Sequence, residues 1–206
     1  MSPSPRCLLL LALTVLAGCA HMLTTAAPER RFYALTAQRP EALAPARDKS
    51  VLKVRPFQIS PAYQGKDMVY RTGDVEYQAD YYNVFFVQPG AAATQAAEEW
   101  IGRSGLFGNV VDSTSQVPDT HVLEGMVNAL YGDFRDPKNP KAVIEAQFFL
   151  LKNKDEKYSV IFQKSYSKAV PFSADYKDAT LLAKAYQTGL TEMLSELEND
   201  IRAARP

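Results

Sequence analysis

Cysteine, histidine and tryptophan are scarce in this sequence, and each shortage closes off a class of chemistry. The 206 residues include two cysteines, Cys7 and Cys19, two histidines, His21 and His121, and one tryptophan, Trp100. Two histidines, one of them in a region that reads as a tether, exclude a multi-histidine metal site, so no metal is expected. If the amino terminus is processed as argued below, neither cysteine remains to form a structural disulfide. Charge of one sign is also missing. Lys plus Arg and Asp plus Glu each number 23, which leaves no global positive field and argues against nucleic acid as a partner. Glycine-rich phosphate loops of Walker or Rossmann spacing are absent, as is a Gly-x-Ser-x-Gly elbow. Any catalysis would fall to carboxylates, Ser or Tyr.

What is present begins at the amino terminus. Arg6 precedes an apolar run over residues 8–16, which is too short to span a bilayer permanently and reads as an export signal. The run ends in Leu16-Ala17-Gly18-Cys19, the lipobox pattern of an aliphatic residue, two small residues and a cysteine. The small pair suits a peptidase cleft beside a newly lipidated thiol. Residues 1–18 are therefore expected to leave as a lipoprotein signal, and Cys19 to carry the lipid, palmitate included. Ordinary cleavage after Ala20 is the alternative. Each buried methylene contributes about 0.8 kcal/mol, so several long chains hold essentially permanently. Ala20 follows the cysteine in place of Asp, which favours the outer membrane. Residues 19–31 are small, polar and carry Pro28, and read as a lipidated tether that reaches at most about 40 Å.

Hydrophobic residues make up 47% and charged residues 22%, as in a folded domain. Residues 32–206 are expected to form one domain. Residues 32–35 open it as a strand, and residues 51–57 alternate as a half-buried strand with Val51, Lys53, Arg55 and Phe57 on one side. Residues 68–71, 75–77 and 82–87 read as short strands, separated by Gly73-Asp74 and by Asp80. Pro89-Gly90 breaks the pattern, and Thr94 is expected to cap a helix ending near Arg103, with Ala96, Ala97, Trp100 and Ile101 on one face. Residues 104–108 close that helix, and Val110-Val111 is a short strand. Residues 121–134 and 142–152 are long strands around a turn at 136–140, and Ala142, Ile144, Ala146, Phe148 and Leu150 share one apolar face. After a tip at 155–157, Val160, Phe162, Tyr166 and Val170 share parity in a further strand. From Asp175 the apolar residues recur at helical spacing, from Leu181 and Leu182 through Tyr186, Leu190 and Leu194 to Ile201. The expected class is α+β: a mostly antiparallel sheet with two main helices, the long C-terminal one packed across one face.

Candidate chemistry is thin. His121 reads as a strand-edge residue. Asp133, Arg135 and Asp136 could serve acid-base chemistry, but Asp and Gly beside Pro137 and Pro140 are also what a turn between long strands requires. The aromatic group Tyr77, Tyr81, Tyr82, Phe85 and Phe86 suits sheet packing, an apolar groove for lipid, or an interface. Tyr81, Tyr82, Phe85 and Phe86 are the candidate docking or hydrophobic surface.

The order of Phe32-Tyr33-Ala34-Leu35, Leu52-Lys53-Val54-Arg55-Pro56-Phe57, Met68-Val69-Tyr70-Arg71, Tyr81-Tyr82-Asn83, Trp100, Ser104-Gly105-Leu106-Phe107 and Leu123-Glu124-Gly125, behind a lipobox, resembles the ABC-type transport auxiliary lipoprotein family (PqiC-like). The resemblance covers nearly all of residues 19–206. It implies a non-enzymatic component of an ABC/MCE-type intermembrane transport system for lipids or other hydrophobic compounds. Partners so implied are an MCE-domain protein and its inner-membrane components, with the domain on the periplasmic face of the outer membrane and copies of itself as further partners. No cofactor is implied beyond the covalent lipid, and only Cys19 transfers as a functional residue. A structural envelope lipoprotein that binds peptidoglycan or outer-membrane proteins is the competing reading, and an envelope hydrolase using Asp133 and Asp136 is a third.

Overall fold

A computed structural model of the chain describes residues 29–40, 45–46, 48–155, 157–173 and 178–205. Cys19, its lipobox and most of the expected tether lie outside the described residues. The architecture is α+β, as the periodicities imply. In chain order the elements are β1 (Arg31–Tyr33), β2 (Val51–Val54), β3 (Gln58–Ile59), a 3-10 turn (Pro61–Tyr63), β4 (Asp67–Arg71), β5 (Tyr77–Phe85), α1 (Pro89–Gly102), β6 (Asn109–Val111), β7 (His121–Asp133), β8 (Lys141–Lys154), β9 (Lys157–Pro171) and α2 (Ala179–Ala204).

One nine-stranded sheet contains every strand among the described residues, organised around β7. Along one edge β7 runs antiparallel to β8, which in turn pairs antiparallel with β9. Along its other edge β7 takes three short parallel partners in succession: β2 at His121–Leu123, β3 at Met126–Val127 and β4 at Gly132–Asp133. β6 extends the sheet beyond β2, and the β4–β5 hairpin extends it to β1. The longest ladders are the antiparallel ones.

Pro56 explains why β2 and β3 are two short strands rather than one. It has no N–H to donate and forces its predecessor to stay extended, so pairing to β7 lapses after Arg55 donates to the Leu123 carbonyl at 3.0 Å and resumes at Gln58. The lapse changes the parity. Leu52 and Val54 face the core, and Phe57, expected on the opposite side, is buried with them at 6% exposure. Gly125 of β7 accommodates that ring. A Cβ there would lie 2.6 Å from Phe57 Cδ1.

The helices cover one face. α2 packs on β8 and β9, and α1 lies beside it against β3 and β6. Asp178 caps α2 by accepting from the backbone N–H groups of Thr180 (2.8 Å) and Leu181 (3.3 Å). α1 begins six residues earlier than expected. Pro89 occupies its first turn, where the missing N–H costs nothing, so the residue read as a breaker is the start. Thr94 is not a cap but a buried helix-interior residue whose hydroxyl donates to Gly90 O (2.8 Å) and accepts from Phe57 N–H (2.9 Å).

A buried ionic cluster joins the two helices. Glu198 of α2 accepts from Trp100 Nε1 of α1 at 2.9 Å, from Arg39 Nε and Nη2 at 3.2 and 3.1 Å, and from Arg202 Nη2 at 2.7 Å. The Arg39 and Glu198 side chains are 5% and 9% exposed, so the loop after β1 is fixed to both helices by desolvated charge.

Two further expectations change in the sheet. Val160 does not join Phe162, Tyr166 and Val170 on the inner face but is exposed. A register shift pairs Leu150 with Phe162 and Leu151 with Val160, and the residue between inverts the parity. Residues 75–77 and 82–87 are not separate strands. One strand, β5, runs from the end of the first into the second, Tyr77 to Phe85, and Asp80 marks a bulge inside it.

Candidate functional site

The bulge in β5 builds the most distinctive surface of the molecule. In the β4–β5 hairpin Asp67 pairs with Val84 and Met68 with Asp80, which leaves Tyr81, Tyr82 and Asn83 without partners on β4. Asp80 closes the loop so formed. Its Oδ1 accepts from the backbone N–H groups of Tyr82 (2.9 Å) and Asn83 (3.1 Å), and its Oδ2 from Tyr70 OH (2.6 Å) and Asn83 Nδ2 (2.7 Å). Desolvation alone would raise the Asp80 carboxyl, but these donors outweigh it and hold the pKa below the usual carboxylate range. The carboxylate is ionised and saturated. It serves as a fastener rather than an acid.

The fastened bulge turns Tyr81 and Tyr82 outward, edge to face with ring centres 5.2 Å apart. β1 lies along the other edge of β5, Phe32 opposite Val84, and brings Phe32 against Phe86 with ring centres 6.4 Å apart. Tyr81, Phe86, Phe32 and Tyr82 are 65%, 66%, 59% and 42% exposed. Cations surround them. The Arg30 guanidinium lies 4.7 Å from the Tyr81 ring centre, donates to Tyr81 O and pairs with Asp67 at 3.5 Å. Lys66 Nζ donates to Phe86 O at 2.9 Å. Beside Phe86 and Val87, a groove of about 280 Å³ runs between residues 34–37 and the Ala92–Ala96 flank of α1.

Of the four aromatics proposed for a surface, Tyr81, Tyr82 and Phe86 are on it. Phe85 is not: it is 2% exposed, and its ring meets Tyr186 of α2 at 5.8 Å. The pleat sends adjacent residues to opposite faces, so Phe85 and Phe86 cannot share a surface. Phe32 belongs to it and was missed, although the alternation Arg31-Phe32-Tyr33 at the start of an edge strand was the available signal. Arg31, read as the last tether residue, pairs with Asn83 inside β1.

The other candidates are engaged structurally. Asp133 accepts from Arg135 Nε (3.0 Å), Nη2 (2.7 Å) and backbone N–H (3.2 Å), and Asp136 accepts from Asn139 Nδ2 (2.8 Å) and Lys138 N–H (3.0 Å). Those bonds hold both carboxyls below their ordinary range, so neither stores a proton for acid catalysis. His121 packs edge-on against Phe107 with ring centres 5.4 Å apart, and its Nδ1 is 2.9 Å from Thr120 Oγ1. Burial, then the charges of Arg205 and Lys152, push its pKa down to about 4. It lines a polar depression of about 850 Å³ with Lys49, Lys152 and Arg205. Arg205 is bound there to Asp48, Ser50 and the Leu106 carbonyl. Among the described residues no group of three or more His, Cys, Asp or Glu is placed to hold a metal ion, and no helix is long and apolar enough to cross a membrane.

No protein-family model and no curated protein matches the chain. Solved structures do. Protein XCC0632 from Xanthomonas campestris, described as DUF330, superposes with a TM-score of 0.70 at 19% identity, over 82% of this chain and 92% of that one. The fold is shared. A second structure, of an uncharacterized protein, gives a TM-score of 0.64 at 15% identity, over 84% and 99% of the two chains. The PelC dodecamer from Paraburkholderia phytofirmans is a looser match, with a TM-score of 0.41 at 14% identity over 71% and 91%, and does not bear on how this chain assembles.

Proposed function

We propose that the chain is a lipid-anchored, non-enzymatic envelope protein that docks a periplasmic MCE assembly at the outer membrane, as part of an ABC/MCE-type system moving lipids or other hydrophobic compounds. The observation that carries this reading is the placement of the exposed aromatic edge. It is built partly from β1, the first strand after the segment that leads from Cys19. The lipobox and the ordered resemblance supply the class of system. The engagement of Asp80, Asp133 and Asp136 in fastening loops supports a binding role over hydrolysis. β9 pairs with β8 alone among the described strands, so its outer edge is backbone available to a second copy.

The test is mass spectrometry of proteins that copurify with the tagged full-length chain from detergent-solubilised envelopes, beside a Cys19→Ala control. Recovery of an MCE-domain protein and its membrane components with the acylated form alone is the expected result. Recovery of only cell-wall components or outer-membrane porins would replace this reading with that of a structural envelope lipoprotein.

A further inference from the structure

We propose that the aromatic edge formed by Phe32, Tyr81, Tyr82 and Phe86 beds into the headgroup and upper acyl region of the same leaflet that holds the Cys19 lipid, fixing the orientation of the domain on the membrane. The proposal rests on the lipid-anchored reading above and goes beyond it by naming the surface that meets the bilayer.

Reach comes first. Twelve residues separate Cys19 from Phe32, a span of at most about 45 Å even when fully extended. Phe32 is itself part of the patch. The edge is thus the part of the domain held nearest the anchor, whereas β9 and the tip of the β8–β9 hairpin lie across the sheet from it.

Chemistry comes second. Scattered exposed apolar residues are ordinary, but four large rings on one edge, two pairs of them in mutual contact, are not. Tyrosine has an apolar body and a polar tip, which suits the boundary between headgroup and acyl chain. Arg30 and Lys66 flank the rings with long side chains whose charges can reach phosphate while their stems stay with the aromatics. Nearby acids are largely engaged: Asp67 is paired with Arg30, and Asp80 accepts four hydrogen bonds. Glu29 is the exposed acid at the rim.

Rigidity comes third. A flexible loop would lose conformational entropy on insertion. The Asp80 fastening and the Tyr33 OH hydrogen bond to Asn83 Oδ1 (3.2 Å) hold the bulge in its outward form beforehand. The groove beside Phe86 and Val87 continues the apolar surface toward α1.

The experiment uses the acylated full-length protein in vesicles of phosphatidylethanolamine and phosphatidylglycerol at 3:1. Cys19 is occupied by its lipid, so an introduced cysteine can be labelled selectively. Tyr82→Cys and, as a control on exposed β9, Ser165→Cys each carry an environment-sensitive fluorophore, and doxyl-labelled phospholipid is the quencher. The expected result is quenching at Tyr82→Cys at least threefold greater than at Ser165→Cys. Adding Phe32→Ser and Phe86→Ser should reduce it to the control level with an unchanged urea midpoint. Equal quenching at the two positions overturns the assignment. So does efficient disulfide cross-linking between Tyr82→Cys chains without quenching, which would make a second copy the occupant. The acyl mass on Cys19 is measured separately. Failure of the anchor reading therefore appears as a missing mass, and failure of this inference as an unquenched probe on an acylated chain.

Discussion

The helix-covered face of the sheet and the β1–β5 edge draw on the same kinds of side chain for opposite ends. On the covered face Phe57, Phe148, Tyr166 and Tyr186 are enclosed among the aliphatic residues of α2. At the edge Phe32, Tyr81, Tyr82 and Phe86 face outward and meet mainly one another. Polar groups follow the same division. Glu198 is buried and joins two helices and a loop, whereas Asp80 is fastened by local donors so that its neighbours protrude. Aromatic content therefore says little about role. What separates the two regions is whether backbone register carries a ring toward the helices or away from them.

The sharpest way to break the covered face is at its charge. Glu198→Ala should destabilise the protein by about 3–5 kcal/mol, because the carboxylate that Trp100 Nε1, Arg39 and Arg202 share in a desolvated site would be gone. Urea unfolding should show a lower midpoint with an unchanged slope. Phe85 and Phe86 then compare the two regions within one dipeptide. Phe85→Ala should cost about 3 kcal/mol, and Phe86→Ala less than about 0.5 kcal/mol, by the same measurement. Similar losses at both positions would mean that the edge is covered in the folded protein.

Proton linkage provides a third test. The folded pKa of His121 is depressed from its ordinary value near 6.5 to about 4 by burial and by the charges of Arg205 and Lys152, with Asp48 opposing. The unfolded chain therefore binds the proton more tightly. The contribution is fully present above pH 6.5, declines as pH falls through 6.5 toward 4, and changes no further below that. His121→Phe should flatten stability against pH within that window, while the carboxylates with lowered pKa values still produce a loss at more acidic pH. A small gain in stability is expected at Tyr186. Its hydroxyl is buried with no hydrogen-bond partner among the described residues, and its pKa lies well above the ordinary value, primarily through burial. Tyr186→Phe should raise stability by up to about 1 kcal/mol, read as a higher midpoint.

The same division shows what the sequence made legible. The face of β8 from Ala142 to Leu150, the stripe of α2 and the burial of Trp100 follow from uninterrupted periodicity, and each stands in the structure. Expectations failed where one residue changes the count. Pro56 returns Phe57 to the core, the shift beside Ile161 exposes Val160, and the three-residue bulge after Asp80 extrudes two tyrosines. Such register changes depend on the partner strand, which local patterning does not contain. The Glu198 cluster was hidden for a related reason. A carboxylate among Leu194, Leu197 and Ile201 announces a buried charge, but the partners Arg39 and Trp100 are far away in sequence and unite only in the folded chain.

The reliance of β2, β3 and β4 on one strand also has a temporal meaning. A chain that emerges amino end first presents those three segments well before residues 121–133, the template on which they line up, so only the pairings that do not involve β7, namely β4–β5, β1–β5 and β2–β6, can close early. α2, which seals the core, arrives last of all. The amino-terminal half must wait in open form while its partner is still to come, which makes this a slow, high-contact-order folder and exposes its apolar strands to holding chaperones along the way.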